Sequence, residues 1–256
     1  MPSFILWGDR LRTRLREALY IGLFDALPLL RDPMLMLMVS LFAFLPVLFI
    51  FVFAGAGGAA IQSLVGAIVL AFSFTGLNAA SSVYFNKHWF RFQDMFVASP
   101  VSPATYALGL SLGTLVVSIP AVLLSFGVLL VASFPGVAEV GLALGASIML
   151  WLVMVFIGFA LGTSTKNVRR ANSLPQILGI VLGFLPPVYY PLDRLPGFLQ
   201  PVALLIPTTH AAQLAKSYFG LVAMSTFDTL LSWGFLTGSV ALTAFIAVRR
   251  AHWVDP

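Results

Sequence analysis

The sequence predicts an all-α membrane protein, and three observations carry that prediction. The chain of 256 residues is 60% hydrophobic and only 9% charged, against about 25% charged in a typical soluble domain. Its mean hydropathy is +1.00. Its apolar residues also gather into uncharged runs of about twenty, the length that crosses bilayer hydrocarbon as a helix. This length suits one domain over 1–256, with an amphipathic N-terminal segment at 1–33 and a six-span bundle at 34–256.

The net charge is +5 and the isoelectric point about 9.9. The charges lie in short segments between apolar runs, where membrane topology places them, so no nucleic-acid partner is expected. There is no cysteine, which excludes disulfides, thiol chemistry and thiolate metal sites.

Residues 4–24 read as an amphipathic helix. At 3.6 residues per turn, Phe4, Trp7, Leu11, Leu15 and Leu19 share one face, and Asp9, Arg10, Thr13, Arg16 and Glu17 fill the other. Beside a span, such a helix is expected to lie in the membrane interface. A cleaved signal peptide does not fit, because the basic region is too long and the apolar run starts too far in. Arg31-Asp32-Pro33 ends the segment. The first span is 34–53, with Pro46 as a kink candidate. Gly55, Gly57 and Gly58 make a tight turn into the second span, 61–84.

Residues 86–102, NKHWFRFQDMFVASPVS, form a polar and aromatic island. The third span, 103–132, opens on Pro103 in the favoured first turn and is interrupted by Pro120. The fourth is 140–163, followed by a basic loop, Lys166-Asn167-Val168-Arg169-Arg170. The fifth is 174–190, with Pro186-Pro187 expected to break or kink it near its end. Between 191 and 219 the chain is punctuated by Pro191, Pro196, Pro201 and Pro207. It is too broken for one span and too apolar for a solvated loop. Two short re-entrant helices are expected there, 195–205 and 208–219, the second capped by Thr208. The last span is 229–248.

Twelve of the fourteen Lys and Arg residues fall on one side of this topology; only Arg194 and Lys216 fall on the other. The positive-inside rule then places both termini, the island and the 166–170 loop in the cytoplasm, and the proline-punctuated segment outside.

No Asp, Glu, Lys, Arg or His lies inside any expected span, whereas ion-driven carriers and proton pumps rely on such residues. The histidines, His88, His210 and His252, form no catalytic or metal-binding constellation, and HExxH and GxxxxGK[ST] motifs are both absent. The chain is therefore not expected to be an enzyme. Active transport here would draw its energy from another chain.

Five GxxxG pairs occur: Gly109/Gly113, Gly141/Gly145, Gly158/Gly162, Gly179/Gly183 and Gly234/Gly238. They predict close helix packing, either within the bundle or at a dimer seam. Within the island, a helix over 89–98 would bring Trp89, Phe92, Gln93 and Phe96 together, with Arg91 and Asp94 displaced around the axis and Pro100 and Pro103 as bounds. Rigid rings flanked by opposite charges suit a cleft on a soluble partner. An interfacial anchor is the alternative reading of the same residues.

Read together, the motifs resemble those of type-2 ABC export permeases. Asp94-Met95-Phe96-Val97-Ala98-Ser99-Pro100-Val101-Ser102, followed by Tyr106-Ala107-Leu108-Gly109, is similar to the family's segment after the second span. There a short cytoplasmic helix precedes a small-residue-Pro-Val-Ser turn. Tyr190-Pro191-Leu192, Leu195-Pro196-Gly197-Phe198-Leu199-Gln200 and Ile206-Pro207-Thr208-Thr209 are similar to its outer segment between the fifth and sixth spans. Where many members carry Gly-Thr-Leu-Glu, this chain has Arg91-Phe92-Gln93-Asp94-Met95, with Asp94 in place of the glutamate.

The resemblance implies a permease of the cell membrane that acts as a dimer with a second copy or a paralogue. ATP would be bound by separate ABC ATPase subunits, with no cofactor or metal in this chain. It further implies that Trp89, Arg91, Phe92, Gln93, Asp94 and Phe96 form an ATPase-docking coupling helix, with Phe92, Asp94 and Phe96 transferring force. Tyr190, Pro191, Leu195, Pro196 and Pro207 would shape the outer re-entrant segment. The expected cargo is a lipid, a lipid-linked glycan or an amphipathic drug. A secondary carrier and a non-transporting membrane scaffold are the rival readings.

Overall fold

The computed structural model of the chain describes residues 3–55, 57–88, 101–133 and 135–250, and among these there is no strand. The helices are α1 (Ser3–Leu30), α2 (Pro33–Ala54), α3 (Gly58–His88), α4 (Pro103–Ser133), α5 (Val137–Ser164), α6 (Val168–Phe184), a short α7 (Gln200–Ala203), α8 (Pro207–Tyr218) and α9 (Thr226–Arg250). Gly55, at φ 74°, makes the left-handed turn between α2 and α3.

Three of the described helices, α3, α5 and α9, are long and apolar enough to cross a membrane. α4 is bent by 56° between 105–116 and 118–131 and makes a fourth if its halves are one span. Pro120 accounts for the bend: it has no N–H for the Val116 carbonyl, and its ring crowds that turn. Length and composition thus support three or four spans, with α2 contributing a shorter apolar stretch at Phe44–Phe53.

α3 is the central helix. It packs against α2, α4, α5, α6 and α8, and its side chains from Ser63 to Phe72 are buried without interruption. Small residues let its neighbours approach. A Cβ built on Gly158 of α5 would lie 2.7 Å from the Leu77 carbonyl oxygen, and one on Gly162 would lie 2.6 Å from that of Ala80. Inside a bilayer, apolar side chains gain little by leaving lipid for protein, so this close van der Waals approach is what holds helices together.

A second seam joins α1 to α4. A Cβ on Gly109 would lie 2.6 Å from the Ile21 side chain, and one on Gly22 would lie 2.9 Å from the Gly109 carbonyl oxygen. α1 therefore docks through Ala18, Ile21, Gly22 and Ala26, while Leu15 and Leu19, on the expected apolar stripe, are exposed. That leaves these two side chains available to lipid.

Several boundaries differ from those expected. α6 begins at Val168, inside the expected basic loop, because the Asn167 side chain accepts a hydrogen bond from the Arg169 N–H at 2.8 Å and caps the helix. It ends at Phe184 rather than 190, since Pro186-Pro187 cannot continue it. The expected helix at 195–205 is reduced to a 3-10 turn at Leu192–Arg194 and the four residues of α7. Thr208 does not cap α8: Ile206 occupies that position, with Pro207 in the first turn, and the buried Thr208 Oγ1 has no hydrogen-bond partner.

Candidate functional site

The expected coupling residues Trp89, Arg91, Phe92, Gln93, Asp94 and Phe96 lie outside the described residues. The framework that bounds them is described on both sides. α3 ends at His88, and α4 opens at Pro103 with Ser102 as its cap: the Thr105 N–H donates to Ser102 Oγ at 3.2 Å, and the Tyr106 N–H donates to the Ser102 carbonyl at 3.0 Å. These two helix ends lie at one end of the bundle, the base.

An apolar cluster ties that base together. Ile21 of α1, Val83 of α3, Tyr106 and Leu110 of α4, Phe159 of α5 and Ala247 of α9 are buried against one another. Beside it lies a polar junction. Burial pushes the Asp25 carboxyl up to about 6 and raises the Tyr106 hydroxyl as well. Asn86, in the last turn of α3, lies beside the Asp25 and Tyr106 side chains and opposes the shift of both. Ser81 Oγ donates to the Ala171 carbonyl at 3.1 Å and joins α3 to the start of α6. The cluster and the junction therefore tie α1, α3 and α4 together at the base.

At the opposite end, the proline-punctuated segment that follows α6 is held by local hydrogen bonds. The Tyr190 hydroxyl donates to the Leu185 carbonyl at 3.2 Å. Pro191 and Pro196 accept turn hydrogen bonds from Arg194 and Leu199 at 3.2 and 2.8 Å, and the Leu195 carbonyl accepts from Gln200 Nε2 at 3.0 Å. Pro207 opens α8.

Sequence reasoning treated Lys216 as one of two outward charges. It is fully buried instead. Its Nζ donates to the Pro187 carbonyl at 3.0 Å and to the Tyr190 carbonyl at 2.8 Å, so the amine caps the broken backbone beyond α6. Burial lowers its pKa from 10.5 to about 7. His210, one turn and a half earlier, is also buried, with Nε2 2.8 Å from the Leu204 carbonyl and Nδ1 3.0 Å from Ser232 Oγ. A carbonyl only accepts, so Nε2 carries the proton and, in the neutral ring, Nδ1 accepts from the serine. Burial lowers the pKa of this ring too. A signal was present in the sequence: His210, Gln213 and Lys216 recur every three residues and share a helix face. Asp25, Asn86 and Tyr106 offered none, being far apart in the chain.

An apolar groove of about 440 Å³ lies between α2 and the segment after α6, lined by Phe42, Leu45, Phe49, Phe184, Tyr189 and Tyr190. Gly66 of α3 makes room for the Tyr189 ring, which stacks on Phe184 with centroids 5.5 Å apart. Such a wall suits an acyl chain or an aromatic amphiphile.

The base carries most of the described basic residues, while Glu139, Asp193 and Asp228 belong to the opposite end. No group of three or more metal-ligating side chains occurs among the described residues. A family model described as ABC-2 type transporter matches residues 25–219, from the end of α1 to the end of α8. Comparison with curated proteins finds no match.

Proposed function

Because the chain belongs to the ABC-2 type transporter family, we propose that it is the permease subunit of an ATP-driven exporter of the cell membrane. The family match over most of the chain carries this reading. In it the permease has six spans, α2, α3, α4, α5, α6 and α9, and pairs with a second copy or a paralogue. Both termini and the base face the cytoplasm, as the excess of basic residues there favours. Residues 89–100 dock on an ABC ATPase subunit, which supplies ATP hydrolysis; the chain itself is not catalytic and holds no cofactor.

ATP-driven closure of the ATPases would push on 89–100. The force would enter through the ends of α3 and α4 and the Asp25-Asn86-Tyr106 junction, tilting the spans and switching access to a path between the two permease copies. The cargo is a lipid, a lipid-linked glycan or an amphipathic drug, and the apolar groove supports a cargo with an apolar part.

The test is co-purification of the permease with its ATPase and measurement of cargo export from reconstituted vesicles. Phe92→Ala with Asp94→Ala is expected to lower ATPase association by at least about tenfold, the effect of losing interface anchors, and to abolish export. Association and export equal to wild type would refute the docking assignment. Export without any ATPase would refute the ATP-driven reading in favour of a carrier.

A further inference from the structure

A second cavity, of about 630 Å³, opens at the end of the bundle opposite the base, between the 191–204 turn, α8, the 221–224 loop and the first turns of α9. We propose that it is a binding site for an ammonium-bearing amphiphile, with the charged nitrogen held between Asp193 and Asp228 and the hydrocarbon part against Leu204, Leu221, Met224 and Leu231.

Charge and unmet hydrogen bonding carry the assignment. Asp193 and Asp228 both line the cavity, and among the described residues no Lys or Arg does. The two cations of this end are placed elsewhere: Arg194 is not among the lining residues, and the Lys216 amine is committed to the Pro187 and Tyr190 carbonyls. Asp228 also accepts from Ser225 Oγ at 2.7 Å in capping α9, which leaves its other oxygen for a ligand.

Gln213 lines the cavity from α8. It is only 7% exposed, yet its Nε2 has no hydrogen-bond partner. On the facing helix α3, Gln62 gives its Nε2 to the Leu221 carbonyl at 3.2 Å, while its buried Oε1 has no partner. A buried amide left unpaired costs free energy that a ligand recovers by pairing it. Gln62 Oε1 accepts from an ammonium N–H, and Gln213 Nε2 donates to an acceptor beside that nitrogen. His210 has both ring nitrogens engaged, so it forms a wall and offers the ligand no free nitrogen.

The assignment requires neither an ATPase nor a direction of transport, so its test is separate from that of the proposed function. The purified permease in micelles of a polyoxyethylene detergent, which carries no ammonium group, is titrated calorimetrically with three probes that share a hexyl tail: hexylammonium, hexyl glucoside and hexyl phosphate. Hexylammonium is expected to bind most tightly and to weaken as salt is raised. Asp193→Asn is expected to lower its affinity by about fivefold, the share of one partly screened ion pair. Ala223→Lys, at an exposed lining position, places a competing cation in the cavity and is expected to remove saturable binding without changing the melting temperature. Equal binding of all three probes, or unchanged hexylammonium binding by Asp193→Asn, would overturn the proposal. Tightest binding of the glucoside would overturn it in favour of a polyol site. If Ala223→Lys fails to fold, Asp193→Asn and the salt dependence decide.

Discussion

Replacing Lys216 by methionine tests whether the buried amine holds the proline-punctuated segment to the bundle. The wild-type side chain is fully buried and ties two carbonyls, those of Pro187 and Tyr190, to α8. Methionine fills a similar volume and donates nothing. Each buried carbonyl left unpaired costs about 1–3 kcal/mol. Methionine also removes the cost of discharging the amine on folding, about 1.4 kcal/mol for each pH unit between 7 and the unfolded 10.5, which offsets part of that loss at pH 7 and fades toward pH 10. The net loss therefore grows with pH and approaches about 2–4 kcal/mol near pH 10, or roughly 5–10 °C in melting temperature for a chain of this size.

The sign of the pH effect gives a second readout. The folded pKa lies below the unfolded 10.5, so between about pH 7 and 10 the unfolded chain holds the extra proton and wild-type stability rises with pH. The substitution removes that rise. Both effects are read by the intrinsic tryptophan fluorescence of the permease in nanodiscs, heated at pH 7 and at pH 9. If Lys216→Met melts within about 1 °C of wild type at both pH values, the amine is not a clamp and the reasoning fails.

The base and the seams carry three further predictions. The Asp25 carboxyl, raised to about 6 from an ordinary 3.8, favours its protonated form in the fold. Its contribution is present below about pH 4 and lost as pH rises through 6. Asp25→Asn should flatten this part of the stability profile, measured as melting temperature from pH 4 to 8, and an unchanged profile would locate the titration elsewhere. Gly158→Leu forces a side chain against the backbone of α3 and should cost about 1–3 kcal/mol or more. Gly234→Leu, with nothing within 4 Å, should leave the monomer's thermal stability unchanged. Loss of the proposed dimer in the second variant alone, read by light scattering, would identify α9 as its seam.

Much of the fold was legible because a bilayer imposes simple rules. Uncharged runs had to become helices, and Pro120 and Pro186-Pro187 had to disturb them, since each removes a hydrogen bond that lipid cannot replace. The GxxxG pairs were legible as packing sites but not as to partner. Gly109/Gly113 meet α1, Gly158/Gly162 meet α3, and Gly179/Gly183 meet Phe74 and Leu70 of α3. Those three pairs are therefore occupied within the chain, whereas Gly234 and Gly238 face nothing within 4 Å. A glycine pair marks a place where backbones can approach, and both a neighbouring helix and a second subunit satisfy it.

The sequence by itself determined the class, the helix content, the basic asymmetry and the proline-broken segment, because hydropathy, length and missing N–H groups act locally. Only the tertiary structure decided which charges are solvated and which polar groups meet. Lys216 looks like a surface lysine until Pro187 and Tyr190 fold over it. Asp25, Asn86 and Tyr106 become one junction only when α1, α3 and α4 converge. Gln213 and Gln62 become candidate ligands only once the packing of α8 against α3 strips them of water without giving each a full set of partners. Burial and hydrogen bonding across distant segments depend on packing geometry, which no local pattern in the chain encodes.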